Sequence, residues 1–308
     1  MHATPELKDM QTYAVIHDTD IGSDIDDAVA LAYLLRQPRC ELVGVTTVSG
    51  ESAKRAMLAD AVCQAAGRKD IPVHAGVETP LVVPPLQPLS PQSEALTSRW
   101  PHRQFEQRNT AVDFMRETIR ARPGEITLLA TGPLTNIAVL FAIDPEIPAL
   151  LHQLVLMGGA YYARGYDYTN AEWNMRCDPQ AATMVFGARI SRFAALGLDV
   201  TMKCQMGAEE VRRRFAASGG PLELVASMAE VWLRHADFVT FHDPLSAAVI
   251  FERSLCQWER QNVEIELASL RAQGQTYFRD SAAEKPHEIA TEVNPGDFFR
   301  HYFDIVGG

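Results

Sequence analysis

From residue 13 to residue 200, short apolar runs alternate with segments of helical period, and this alternation constrains the fold more than any other feature. YAVIHD (13–18), ELVGVTTV (41–48), EITLLA (125–130), QLVLMGG (153–159) and RFAALGLDV (192–200) are apolar, β-branched runs bounded by turn signals. Between them, DDAVALAYLLRQ, SAKRAMLADAVCQAAG (52–67), LTNIAVLFA and DPQAATMVFG place apolar residues at helical spacing. Strands that are apolar on both sides need cover on both sides, and intervening helices supply it. The pattern predicts an α/β fold with an open, mostly parallel central sheet and helices on both faces. Further on, LELVASMAEVWLRHADFV (222–239) predicts a strong helix. VEIELA, QTYF and EIATEV predict a C-terminal meander, and DFFRHYF a last helix. Residues 77–104, rich in proline, and 158–174, rich in glycine and tyrosine, fit no period. Loops of that length are usually functional or disordered, and open α/β sheets place their sites at the strand C-termini that these two should flank. With no internal repeat, linker or composition shift, 1–308 reads as a single catalytic domain.

The charge balance narrows the partners. Net charge is −11, and the densest basic run, Arg212–Arg214 within EEVRRRF, reads as a solvated helix face. Nucleic acid and anionic membranes are excluded as partners on that ground. Cys40, Cys63, Cys177, Cys204 and Cys256 are odd in number and show no CxxC spacing, which predicts reduced thiols. MHATPELKDMQ lacks the basic and apolar regions of a signal peptide, so a soluble, cytoplasmic protein is expected.

The chemistry concentrates where the first strand hands over to the first helix. DTDIGSDIDDAVALAYLL (18–35) sets Asp18, Asp20, Asp24, Asp26 and Asp27 within ten residues. At about 4 Å and an effective dielectric of about 20, each like-charged pair costs roughly 4 kcal/mol. A helix N-terminus returns only about 0.3–1 kcal/mol per carboxylate. A hard dication such as Ca²⁺, which takes carboxylate, carbonyl and water oxygens, would offset the remainder. Against it stand a solvated acidic cap and a DxD phosphatase whose nucleophilic Asp ends the first strand. An EF-hand is excluded because the closing Glu of its loop is missing.

The same stretch resembles the N-terminal signature of the nucleoside hydrolases, the calcium-dependent N-ribohydrolases, whose usual form is DTDPGxDDAxAL. Further blocks follow in the family's order: VTTVSG (45–50), PVHAGVETPL (72–81), TGPLTNIA (131–138), LMGGAY (156–161), AEWNMRCDPQAA (171–182), GLDVT (197–201) and HDPLSAA (242–248). The resemblance implies hydrolysis of a ribonucleoside to ribose and free base, with Ca²⁺ as cofactor and a homodimer or homotetramer as assembly. It makes Asp20 both a metal ligand and the general base for the attacking water. Asp27, the Thr131 carbonyl and Asp243 complete the metal site. Asp26, Glu172 and Asn174 would bind ribose, and His242 would contact or protonate the leaving base. The chain departs from the pattern at four places. Two extra residues separate Asp20 from Asp26, so Asp24 could take over a ligand's role. Glu51 stands where an Asn usually reaches the sugar. The histidine-containing HGxxGL segment is absent from 86–104, and His102 does not align with it. Tyr166 occupies the position of a usual ribose-binding Asn, for which Asn170 or Asp167 could substitute.

Each residue has a plainer reading. Asp144, Asp178 and Asp243 all precede proline, as ordinary helix caps do. Trp173 reads as core packing, and Asp18 as ordering its loop through local hydrogen bonds. At the level of the whole protein, the alternatives are hydrolysis of an unusual N-riboside, such as a modified nucleoside or nicotinamide riboside, and a non-catalytic ribose or nucleoside binder.

Overall fold

A computed structural model describes residues 11–162 and 171–307. Its strands are β1 (Tyr13–Thr19), β2 (Cys40–Thr47), β3 (Val73–Ala75), β4 (Ile126–Ala130), β5 (Gln153–Met157), β6 (Phe193–Leu196), β7 (Gln205–Gly207), β8 (Phe238–Thr240), β9 (Cys256–Gln261), β10 (Val263–Ile265), β11 (Thr276–Phe278) and β12 (His287–Val293). Eight of them form one sheet in the order β3-β2-β1-β4-β5-β6-β12-β9, parallel except for β9 at one edge.

Successive strand residues face opposite layers, as the pleat requires. Val15, Leu129, Val155 and Leu196 pack into the core shared with helices Asp26–Arg36, Ser52–Ala65 and Pro221–Trp232. Ile16, Leu128, Leu154 and Phe193 pack on the opposite side, with helices Ala111–Ala121, Thr135–Ile143 and Pro179–Phe186. The expected mostly parallel sheet covered on both faces is therefore what the chain forms. The strand order reverses direction at β1, with β2 on one side and β4 on the other. Such a switch point opens a crevice beyond the strands' carboxyl ends. The acidic stretch leaves β1 there.

Three local expectations change. The helix expected over 222–239 stops at Trp232, and the β-favouring Phe-Val-Thr that follows pairs as β8 with β7. The strand read through residue 200 ends at Leu196, because a short helix, Leu198–Thr201, starts after Gly197. The C-terminal meander is divided: β10 and β11 pair with each other, while β12 enters the main sheet beside β6 and buries Ile289 and Ala290. β9, a largely polar edge strand, carries no apolar run that would have marked it in the sequence. Among the described residues no helix is long and apolar enough to cross a membrane.

Candidate active site

The site is assembled from the carboxyl ends of β1 and β4 and from one distant helix. Asp18 is the last acidic residue within β1, in register with Thr46 of β2 and Ala130 of β4. Its carboxylate accepts from Thr46 Oγ1 at 2.6 Å and from Asn136 Nδ2 at 2.7 Å, so it ties strands together rather than ordering its own loop. Burial pushes its pKa up to about 7. Asp20 follows, and the chain turns through Gly22 into the helix that begins at Asp26.

Asp26 and Asp27 occupy the first turn of that helix and are buried, because the next residues, AVALAYLL, drive the helix into the core. Thr19 Oγ1 donates to Asp27 Oδ1, as does Thr131 Oγ1 at 2.9 Å. Asp243, more than two hundred residues away, arrives in the helix His242–Ala248, and its backbone N–H donates to Asp26 Oδ2 at 3.2 Å. One carboxylate oxygen from each of Asp26, Asp27 and Asp243 lies within 4.8 Å of the others, and all three residues are buried. Asp20 stands beside this triad, close enough for its charge to repel that of Asp27. Burial first, then mutual repulsion, holds Asp26, Asp27 and Asp243 well above the usual carboxylate range, and burial likewise raises Asp20. Converging, desolvated, all-oxygen donors of this kind suit a hard divalent cation.

Arg55 is the cation set against these acids, and it is fully buried. It forms no ion pair there. Its guanidinium donates to the carbonyls of Asp20, Ile21 (3.1 Å), Gly50 (2.8 Å) and Leu89 (2.9 Å) and to Ser23 Oγ (3.0 Å). It thereby binds the loops after β1 and β2 to the proline-rich segment 84–91. That segment packs so closely on Gly50 that a Cβ there would meet the Pro88 backbone.

Beyond the acids opens a cleft of about 690 Å³. Asp20, Asp24, Asp26, Asp27, Asp243, Thr131, Glu172, Asn174 and His242 all line it. Asp24 turns its carboxylate back onto the N–H of Ile25 at 2.6 Å and stands outside the triad, so the two-residue insertion is absorbed in the loop. Asp26, expected on the ribose, lies within the triad itself. Asn174 Nδ2 donates to the Thr131 carbonyl at 2.7 Å, tying an expected ribose binder to an expected metal ligand. Glu172 caps the short helix Trp173–Cys177, accepting from Asn174 N, Met175 N and Gly159 N at 2.9–3.1 Å. His242 Nδ1 pairs with Thr201 Oγ1 at 2.7 Å, and burial lowers its pKa to about 4, so the ring is neutral at pH 7.

Three expectations on site residues fall elsewhere. Glu51 does not line the cleft: its carboxylate accepts from Ser90 N and Ser90 Oγ at 2.9 and 3.0 Å and pairs with Lys54, fastening the proline-rich segment. A carboxylate so occupied is not directed at a sugar. Trp173 is not core packing, being 45 % exposed on the cleft wall. Asn170, with Tyr166 and Asp167, lies outside the described residues. Gln87 and Arg55 carried no sequence signal. Gln87 sits in an aperiodic stretch, and Arg55 looks like any basic residue of an amphipathic helix.

A cleft at the switch point of a parallel α/β sheet, floored by buried carboxylates and walled largely by apolar side chains such as Leu86, Leu89, Met157 and Trp173, defines a metal-dependent hydrolase type of site. The chain belongs to the inosine-uridine preferring nucleoside hydrolase family, whose model matches residues 15–300. It is therefore a nucleoside hydrolase. It is 33% identical over 275 residues to the pyrimidine-specific ribonucleoside hydrolase RihA of Citrobacter koseri, covering 85% of this chain and 86% of that one. It is 29% identical over 269 residues to uridine nucleosidase 1 of Arabidopsis thaliana, covering 82% and 78%. Among solved structures, a purine-preferring ribonucleoside hydrolase from Gardnerella vaginalis superposes with a TM-score of 0.81 at 26% identity, over 96% of this chain and 98% of that one. These relatives differ in the base they are named for.

Proposed function

We propose that this protein is a Ca²⁺-dependent ribonucleoside N-ribohydrolase in which Asp20 is the general base. The observation that carries the reading is the convergence of Asp26, Asp27 and Asp243 within 4.8 Å on the cleft floor, with Asp20 beside Asp27. Asp20, Asp27, Asp243 and the Thr131 carbonyl would hold the ion, and the position of Asp26 adds it to that set. When bound there, Ca²⁺ would offset the clustered negative charge and polarise a sugar diol and water.

The remaining work falls to the chain's own groups. Asp20 takes a proton from water as that water bonds to C1′, a role worth about 10²–10⁴ in rate. The C1′–N bond breaks, and its electron pair leaves with the base. The buried carboxylates stabilise positive charge developing at C1′, an effect that low dielectric strengthens. Glu172 and Asn174, each fixed by its own hydrogen bonds, line the ribose side. His242, neutral and held by Thr201, is suited to donate a hydrogen bond to the departing base rather than to carry a full proton to it.

Release of free base from a panel of purine and pyrimidine ribonucleosides, with nicotinamide riboside included, tests the reading. Activity should disappear with a chelator, return with Ca²⁺, and be lost in Asp20→Ala. Full turnover by the chelated enzyme would end the proposal. Turnover of nicotinamide riboside alone would move the substrate to an unusual N-riboside, and tight binding without turnover would leave a binding protein.

A further inference from the structure

Gln87 is the point at which the proline-rich segment reaches the acidic cluster. Its Nε2 donates to Asp20 Oδ2 at 2.5 Å, and its Oε1 accepts from Trp173 Nε1 at 2.5 Å. An indole N–H can only donate, and an ionised carboxylate can only accept. The amide therefore has one workable orientation between them, since the flipped form would face N–H against N–H and oxygen against oxygen.

The backbone that carries Gln87 is as firmly placed as its side chain. Leu89 O takes Arg55, Ser90 is held by Glu51, and Gln92 binds Gly22 O through its backbone and Ser23 O through its side chain, both at 3.0 Å. Of those partners, Gly22 and Ser23 lie in the loop that starts at Asp20, and Arg55 donates to that loop's carbonyls. The donor and the carboxylate it holds share one frame.

From this geometry we infer that Gln87 is a positioning residue for Asp20, with Trp173 setting the orientation of its amide; the inference rests on the ribosidase reading above. Asp20 is buried and repelled by neighbouring carboxylates, so an unrestrained carboxylate would rotate away from them. The Gln87 amide fixes that rotation and leaves the rest of the carboxylate for the reaction. A misplacement of about 1 Å in such a group costs up to about 100-fold in rate.

The test pairs two substitutions. Gln87→Ala is expected to lower kcat about 10- to 100-fold, with KM changed by less than about threefold. Trp173→Phe, which keeps a ring and removes the N–H, should lower kcat about 3- to 10-fold, and the double variant should be no slower than Gln87→Ala alone. Thermal melting of each variant separates a folding defect from the kinetic one. Losses that multiply in the double variant, or a Gln87→Ala enzyme altered in KM alone, would overturn the inference. A readout free of turnover is hydrogen exchange at the Gln87 side-chain amide by NMR, slow in the wild type and faster in Trp173→Phe. If the wild type released no base from any riboside, the ribosidase reading would fall. Loss of slow exchange in Trp173→Phe would still support the tie to Asp20, and an amide indifferent to that substitution would overturn it.

Discussion

Asp144 and Asp243 each precede a proline, yet they reach opposite ends of the sheet and opposite electrostatic environments. Asp144 closes the helix that returns from β4 to β5, at the amino ends of the strands, and two arginines meet it there. Arg120 donates through Nε and Nη2 at 2.6 Å and Arg116 through Nε at 2.8 Å, and together they hold the Asp144 carboxyl well below its usual range. Asp243, at the carboxyl ends, faces Asp26 and Asp27, and no arginine or lysine pairs with it among the described residues. Its carboxyl is held well above the usual range by burial and then by those neighbours. One end of the sheet neutralises its buried acid with protein cations. The other sets one buried arginine, Arg55, near Asp20 and Asp27 and leaves Asp26 and Asp243 facing like charge, a cost that is reasonable only where an external cation offsets it.

Asp243→Asn should break this contrast most sharply. Base release is expected to fall by about 10²–10⁴, while thermal stability in chelator should rise, because one of three repelling buried charges is gone. A less stable chelated variant would contradict the picture of buried acids facing like charge. Arg55→Met removes the counter-charge and leaves buried carbonyls without donors. Chemical denaturation should report a loss of about 3–5 kcal/mol, the range for an uncompensated buried charge.

A third prediction concerns pH at a buried site away from the cleft. His287 on β12 accepts from Val263 N through Nδ1 at 3.0 Å, and its Nε2 is 3.0 Å from Phe186 O. Burial lowers its pKa to about 4. Between pH 6.5 and 4 the unfolded chain binds this proton and the folded chain does not, so stability falls as pH drops, by up to about 3 kcal/mol. Denaturant midpoints at pH 7 and pH 4.5 should separate for the wild type by more than for His287→Gln. The smallest effect belongs to Asp144→Asn, which should lower the melting temperature and leave kcat and KM as they are. A loss of turnover there would show that the two ends of the sheet are coupled.

The alternation of apolar runs and helices was enough to read the parallel sheet, its two covered faces and the place of the acidic stretch. These follow from local periodicity, which a chain displays residue by residue. β12 escaped that reading because its neighbour in the sheet, β6, lies some ninety residues earlier. The three Asp-Pro steps look alike in the sequence. Only Asp178 is the plain cap, accepting from Ala181 N at 3.0 Å while also holding Thr135 and Leu81 N. Glu51 and Trp173 exchanged their expected places, one fastening a loop and the other facing the cleft, because side-chain direction depends on what packs alongside.

The sequence alone determined that five acids cluster where the first strand ends, since covalent order cannot place them elsewhere. It also carried the family's ordered blocks. The tertiary structure decided which of those acids face one another, which distant carboxylate joins them, and how Arg55 and Gln87 are drawn to Asp20. Those choices depend on through-space distances between segments remote in the chain, and electrostatics and hydrogen bonding act on distance in space rather than on position in sequence.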